Sequence, residues 1–185
     1  MILTTSRLAL REMTEQDVPE LAAILQDATT MTAYEGPFDD AMVAAWFKRM
    51  RSRYATDGFG LWAVTLREPG SAGTGSASAG RMVGQCGLTV QRVMGEDVVE
   101  VGYLFNRAHW GQGYATEAAA ACVEYAFENL GAERVYAQVR DTNLASMNVA
   151  IRLGMTVRGR FVKHYRGVDM PHLAFAMDRP ARTAE

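Results

Sequence analysis

The ten residues HWGQGYATEA, positions 109 to 118, place Gly111 and Gly113 between a run rich in β-formers and a long alanine-rich stretch. The run before them is VVEVGYLF, residues 98 to 105. A strand that passes through a short glycine turn into a helix leaves backbone N–H groups free at the helix start, and the helix dipole adds partial positive charge there. That arrangement binds phosphate without a lysine. Glycines let the backbone approach an anion that a Cβ would hold off. The same spacing also suits a tight turn that needs φ > 0. The stretch is not the GxxxxGK[ST] loop of nucleotide hydrolases, and no third glycine follows Gly113 to complete a dinucleotide GxGxxG. One carboxylate, Glu100, interrupts the apolar run before the glycines. Alternation puts it on one face with Gly102 and Leu104, where an acid is unexpected if the face is buried. It is either a working carboxylate or a solvent-facing one at an edge.

These residues need elements to hold them. RLALR, residues 7 to 11, alternates as a strand. Val18, Leu21, Ala22 and Leu25 fall at helical spacing, with Pro19 in the first turn and Asp17 or Thr14 as N-cap. TMTAYEGPF, residues 30 to 38, reads as a loop centred on Tyr34 and Glu35. A second helix is expected from Asp40 to about Tyr54, burying Val43, Trp46, Phe47, Met50 and Tyr54. FGLWAVTLRE is a strand. PGSAGTGSASAG, residues 69 to 80, has nothing to bury and reads as a flexible hairpin connection. RMVGQCGLTVQRV and DVVEVGYLF are the next strands. After the glycines, Ala115, Ala118, Ala119, Cys122, Val123, Ala126, Phe127 and Leu130 hold one helix face, which Gly131 ends. ERVYAQVR is a strand, and NLASMNVAIRLG is a short helix capped by Asn143 and ended by Gly154. TVRGRFVKHYR and MPHLAFAMDR close the chain as strands. The order is β-α-α-β-β-β-α-β-α-β-β, an α/β class, in one domain over residues 1 to 185.

Composition narrows the function. A formal net charge of −2 gives no electrostatic argument for nucleic acid or an anionic membrane. No apolar run approaches the roughly 18 to 20 residues that span a bilayer. MILTTSRLALREM lacks the basic and apolar regions of a secretory signal. Cys86 and Cys122 sit in apolar patterns and read as buried free thiols. The three histidines show no metal-ligand spacing, so no metal is expected. A cytoplasmic protein, monomer or homodimer, is the expectation.

EVGYLFNRAHWGQGYATEA, residues 100 to 118, resembles the acyl-CoA signature of the GNAT acyltransferase superfamily. The core of that signature, Q/R-x-x-G-x-G/A, is met by Gly113 and Ala115, with Trp110 in the Q/R position. The fuller pattern is similar to the branch that acetylates ribosomal-protein N-termini. TSRLALREMTEQD, NLASMNVAIRLGM and GRFVKHYRGVDMPHLAFAM resemble that branch's opening, its N-x-x-S segment and its closing hairpin. The resemblance implies a strongly bent sheet, flanked by helices, whose strands at residues 98 to 105 and 134 to 140 splay apart. It implies acetyl-CoA as co-substrate, its pyrophosphate cradled by N–H groups of Gln112 to Thr116 and its pantetheine arm lying in the splay. Cofactor contacts would come from Leu104, Phe105, Asn106, Trp110, Gly111, Gln112, Gly113, Tyr114, Ala115, Thr116 and Asn143.

Acetyl transfer from a thioester to an amine needs a neutral amine, an oriented thioester, an oxyanion donor and a proton for the leaving thiolate. Glu100 is the candidate base, with Glu35 and His164 as alternatives. The oxyanion donor is placed at a backbone N–H around Leu104 to Asn106. Many superfamily members carry a tyrosine acid seven residues after the asparagine of N-x-x-[SA]; here that position is Ala150, which leaves Ser146 as the nearby donor. Ser146 also fits a first-turn residue bonding locally, and Asn143 a plain N-cap. Arg140 and Asp141 read as solvated charges at a strand end. Tyr34, Glu35 and His164 would contact the acceptor. That acceptor is a primary amine, expected to be a protein or peptide α-amino group. A small amine (amino acid, polyamine or antibiotic) is the alternative, and a non-catalytic acyl-CoA-binding module the third.

Overall fold

The computed structural model describes residues 1–34, 36–67, 80–165 and 167–181. The expected connection at residues 69 to 80 lies outside the described residues except for Gly80, and Glu35 lies outside them too. Strands β1 (Leu3–Thr4) and β2 (Leu8–Arg11) precede helices α1 (Val18–Leu25) and α2 (Asp40–Thr56). Then come β3 (Leu61–Leu66), β4 (Met82–Val93), β5 (Glu96–Phe105), α3 (Tyr114–Glu128), β6 (Arg134–Arg140), α4 (Leu144–Arg152), β7 (Thr156–Tyr165) and β8 (Val168–Asp178). This is the expected order with a two-residue strand added at the start.

The strands form one sheet in the order β1-β2-β3-β4-β5-β6-β8-β7. All neighbours are antiparallel except β5 and β6, which pair in parallel. That parallel pairing covers Val99↔Val135 and Glu100↔Tyr136 and then stops. Beyond Glu100 the two strands diverge, which is the splay.

Alternation sorts the strand residues onto two faces. Leu8, Leu10, Trp62 and Val64 pack with the α3 stripe of Ala118, Ala119, Cys122, Val123, Ala126 and Phe127. Leu61, Ala63 and Met82 pack with Leu21, Ile24, Val43, Phe47 and Met50 from α1 and α2. The small α3 residues let that helix lie close to the sheet. Cys86 and Cys122 are buried free thiols, their sulfurs 3.7 Å apart. The caps follow the sequence. Asn143 Oδ1 accepts from Ser146 N at 3.1 Å, and Gly131 and Gly154 take left-handed φ at the ends of α3 and α4. At the start of α1, a 3₁₀ turn at Glu15–Asp17 intervenes, and the Asp17 carboxylate accepts the Thr14 N–H at 2.8 Å. Trp46 and Tyr54, expected on the same face, are half-buried at its edges: both pack against the core, and Trp46 also forms an edge-to-face aromatic cluster with Tyr34 and Phe38. Among the described residues no helix is long and apolar enough to cross a membrane.

Candidate active site

At the start of α3, the backbone N–H groups of Gly111 through Thr116 have no hydrogen-bond partner among the described residues. The first helical bond is Glu117 N to Gly113 O, at 3.0 Å. Gly111 and Gly113 have φ of +75° and +79°, a region that L side chains rarely adopt. So the turn needs glycine for its conformation, and it also exposes six donors at the positive end of a dipole.

The loop is tied down from far away in sequence. The Glu117 carboxylate accepts from Thr5 Oγ1 at 2.6 Å, Ser6 Oγ at 3.0 Å, Arg7 N at 2.9 Å and Arg7 Nε at 2.6 Å. Arg7 Nη1 donates to Gln112 O at 2.9 Å, and the guanidinium lies 4.7 Å over the Tyr114 ring. Burial works to raise the Glu117 pKa, but these bonds win and hold it below the usual carboxylate range. Fixing the Gln112 carbonyl inward leaves the N–H groups facing out.

Two cavities lie along the splay. One, of about 590 Å³, runs from this loop past Trp110, Tyr114 and Thr116 to α4. The other, of about 480 Å³, opens under α2 and holds Glu100. Their walls share Thr30, Ala33, Tyr103, Leu104, Asn143 and Ser146. A long ligand in the first cavity therefore reaches the second at the splay.

Backbone groups line the junction. Asn106 N donates to Val83 O at 2.9 Å. Antiparallel alternation then turns the N–H groups of Leu104 and Asn106 to β4, and those of Val101, Tyr103 and Phe105 to the gap. Of the range expected to supply an oxyanion donor, Phe105 is thus the residue whose N–H faces the gap. Its carbonyl is taken by Trp110 Nε1 at 2.8 Å, which fixes the indole there. The Asn106 side chain accepts from Ala108 N at 3.0 Å and, like Gln112, lies outside the wall of the larger cavity.

Glu100 accepts from Gln138 N at 3.1 Å through one oxygen and from Gln138 Nε2 at 3.0 Å through the other. Burial pushes its pKa up, against the pull of Lys163 and of the Gln138 bonds. Across the junction, Ser146 Oγ lies 3.0 Å from Tyr103 Oη, which donates to Ser146 O at 3.0 Å. Ser146 therefore bonds across the splay rather than within its own helical turn. Burial pushes the Tyr103 pKa up to about 12, so the phenol keeps its proton.

Other expectations change. His164 is exposed, paired with Asp169, and lines neither cavity. Its strand neighbour Lys163 faces the Glu100 cavity instead, as does His172 of β8. His172 Nδ1 bonds Met170 O at 2.8 Å; burial lowers its pKa, and so do Lys163 and Arg140 nearby. Arg140 is not a solvated charge: it is half-buried, and its Nη1 donates to Thr32 O at 2.8 Å, pinning the 3₁₀ turn at Thr30–Ala33 over the splay. Tyr34 lines the Glu100 cavity. Among the described residues no cluster of His, Cys, Asp and Glu could hold a metal.

The acetyltransferase (GNAT) domain family matches residues 7–156. The protein YkkB of Bacillus subtilis (strain 168) is 34% identical over 154 residues, 83% of this chain and 84% of YkkB. An acetyltransferase from Agrobacterium tumefaciens str. C58 superposes with a TM-score of 0.76 at 27% identity, over 96% of this chain and 94% of that one. RimL, a ribosomal alpha-N-protein acetyltransferase in complex with coenzyme A, shares the fold at 17% identity (TM-score 0.74, 96% and 97% covered). So does spermidine N-acetyltransferase from Vibrio cholerae at 15% identity (TM-score 0.72, 94% and 96% covered). With the family match covering most of its length, the chain belongs to the GNAT acetyltransferase family and is an N-acetyltransferase.

Proposed function

We propose that the chain transfers an acetyl group from acetyl-CoA directly to the α-amino group of a peptide or protein. The observation that carries this is the meeting of the two cavities at Tyr103 and Ser146, with six free N–H donors at one end and Glu100 in the other chamber. The pyrophosphate lies on the N–H groups of the α3 loop. The pantetheine arm follows the gap and pairs with backbone groups of β5 that β6 has left. The thioester then sits at the junction.

Glu100, directly or through one water, takes the proton of the incoming ammonium. The freed nitrogen lone pair forms the C–N bond at the thioester carbon. The carbonyl oxygen becomes an oxyanion, which the Phe105 N–H stabilises. As the oxyanion collapses and the C–S bond breaks, the thiolate takes a proton from the hydroxyl pair of Ser146 and Tyr103, and the second proton shed by the new amide nitrogen passes through solvent to restore that pair, while Glu100 returns its own proton to solvent. An α-amine, with a reference pKa near 8 against about 10.4 for lysine, suits a single carboxylate base. RimL, named as an alpha-N-protein acetyltransferase, supports the same choice. A small amine is the second reading, because a chamber of about 480 Å³ is large enough to enclose one.

The test measures thiol release from acetyl-CoA with short peptides carrying free or blocked N-termini, with and without an internal lysine. Free N-termini are expected to react and blocked ones not. Equal rates on blocked, lysine-containing peptides would overturn the α-amine reading.

A further inference from the structure

The floor of the Glu100 chamber is one face of four adjacent strands: Glu100 on β5, Gln138 and Arg140 on β6, His172 on β8 and Lys163 on β7. Its wall is α2, with Trp46, Arg49 and Arg53. Glu100 is the one carboxylate among the described lining residues, against four cations, Arg49, Arg53, Arg140 and Lys163. Arg53 has a counter-ion in Asp57, at 3.5 Å. Among the described residues the other three have no ion-pair partner. Arg140 reaches only carbonyl oxygens, and its buried Nε has no partner at all. Arg49 lies over the Trp46 ring, 4.6 Å from its centroid. Lys163 is half-buried and feels Glu100 across the chamber without contact; burial draws its pKa down. A surplus of cations with low-dielectric walls concentrates an anion and repels a polycation.

We propose that the acceptor is an amine that also carries a carboxylate, its amine end at Glu100 and its carboxylate on Lys163 and Arg140, with Arg49 at the chamber mouth. The inference rests on the transferase reading above and narrows its substrate class. Glu100 and Lys163 stand on strands three places apart in the sheet, so the two ends of the acceptor are sorted by position. The amine goes to the one anion, beside the splay where the thioester lies. The carboxylate goes to the far side. A dicationic or tricationic amine finds one anion and three uncompensated cations, which excludes polyamines. Two sources share this chemistry: a free amino acid, and a peptide with an acidic N-terminal residue.

The experiment compares kcat/KM for a C-terminally amidated tetrapeptide beginning with Glu and its Gln counterpart, for free glutamate and glutamine α-amide, which carries no carboxylate, and for spermidine. Binding of the same ligands in the presence of CoA is read by calorimetry. The acidic member of a pair should be favoured at least about tenfold, mainly through KM. In Lys163→Gln the ratio should fall toward one, and in Lys163→Glu it should invert, while CoA affinity, which depends on the other cavity, shows that the variants are folded. Preference for the glutamate peptide or for free glutamate upholds the inference and separates the two sources. Equal or better use of the neutral ligands or of spermidine overturns it. If nothing is acetylated, yet the acidic ligands bind about tenfold tighter than their amides, the charge subsite stands and the transferase reading falls. Equal binding in that case overturns both.

Discussion

In the proposed reaction Glu100 meets two demands that oppose each other. A base must hold its proton loosely enough to give it up and tightly enough to take it, so a carboxylate raised above its ordinary range is better matched than an ordinary one. Burial raises it here, and the two Gln138 bonds limit the rise. The same shift is a cost to folding. A folded-state pKa above the unfolded value contributes stability below the unfolded value, and that contribution is lost as pH rises through the folded one. Glu100→Gln should therefore lower kcat/KM by about 10²-fold near neutral pH. It should also remove the limb that rises with pH through Glu100, leaving only the limb of the acceptor amine. Its thermal midpoint at neutral pH should match or exceed that of the parent, because Gln138 can turn its amide over and use its unpartnered Oε1. A pH–rate profile and a melting curve on the same preparation check both. Parent-like rates and profile would remove Glu100 from the chemistry.

At the scale of elements, the α3 N-terminus depends on the chain's opening. Arg7 holds the Gln112 carbonyl and Glu117 together, and this donor meets its acceptors, 105 and 110 residues away, only in the folded sheet. Arg7→Ala should weaken CoA binding about tenfold in calorimetric titration while helical circular dichroism is kept. Unchanged affinity would show that the glycine turn holds its shape alone. This dependence marks what the sequence could carry. Local patterns were legible: the alternation around Glu100, the α3 stripe, the Asn143 cap and the glycine turn each follow from residues within a few positions. The splay came from resemblance. What escaped was set by register and crossing. Lys163 and His164 are neighbours in β7 on opposite faces, and the register shift between Val157 and Gly159 stands between the strand's start and its tip. A one-residue parity decides which of them meets the chamber. Tyr103 alternates with Val101 and Phe105 and nothing in the local pattern singles it out, yet its hydroxyl emerges at the junction because β6 has diverged. Trp46 lies beside the Val43, Phe47 and Met50 stripe, and helical periodicity alone does not mark where a core edge becomes a cavity wall.

Across the whole molecule, the Glu100 chamber depends on the α1–α2 layer staying docked on its face of the sheet. Part of that docking is polar. Arg11 at the end of β2 grips Asp17 before α1 with two bonds of 2.7 Å, and Asp17 is 3% exposed. Burial works to raise the Asp17 pKa, but the Arg11 bonds and charge and the Thr14 N–H hold it below the usual carboxylate range. A depressed folded-state pKa gives stability that is present above the unfolded value and lost as pH falls through the folded one. Removing one member of such a pair leaves Arg11 partly buried without its counter-charge, which costs more than the pair itself contributes. Asp17→Asn should destabilise the protein by about 3 kcal/mol at neutral pH, read from urea midpoints. The gap between parent and variant should narrow as pH drops below about 4, because a protonated Asp17 and an asparagine are near-isosteric and both uncharged. Asparagine can still accept the Thr14 N–H, so the 3₁₀ turn before α1 should survive and the loss should follow the charge. A gap of the same size at neutral and acid pH would mean that the carboxylate acts there by shape alone.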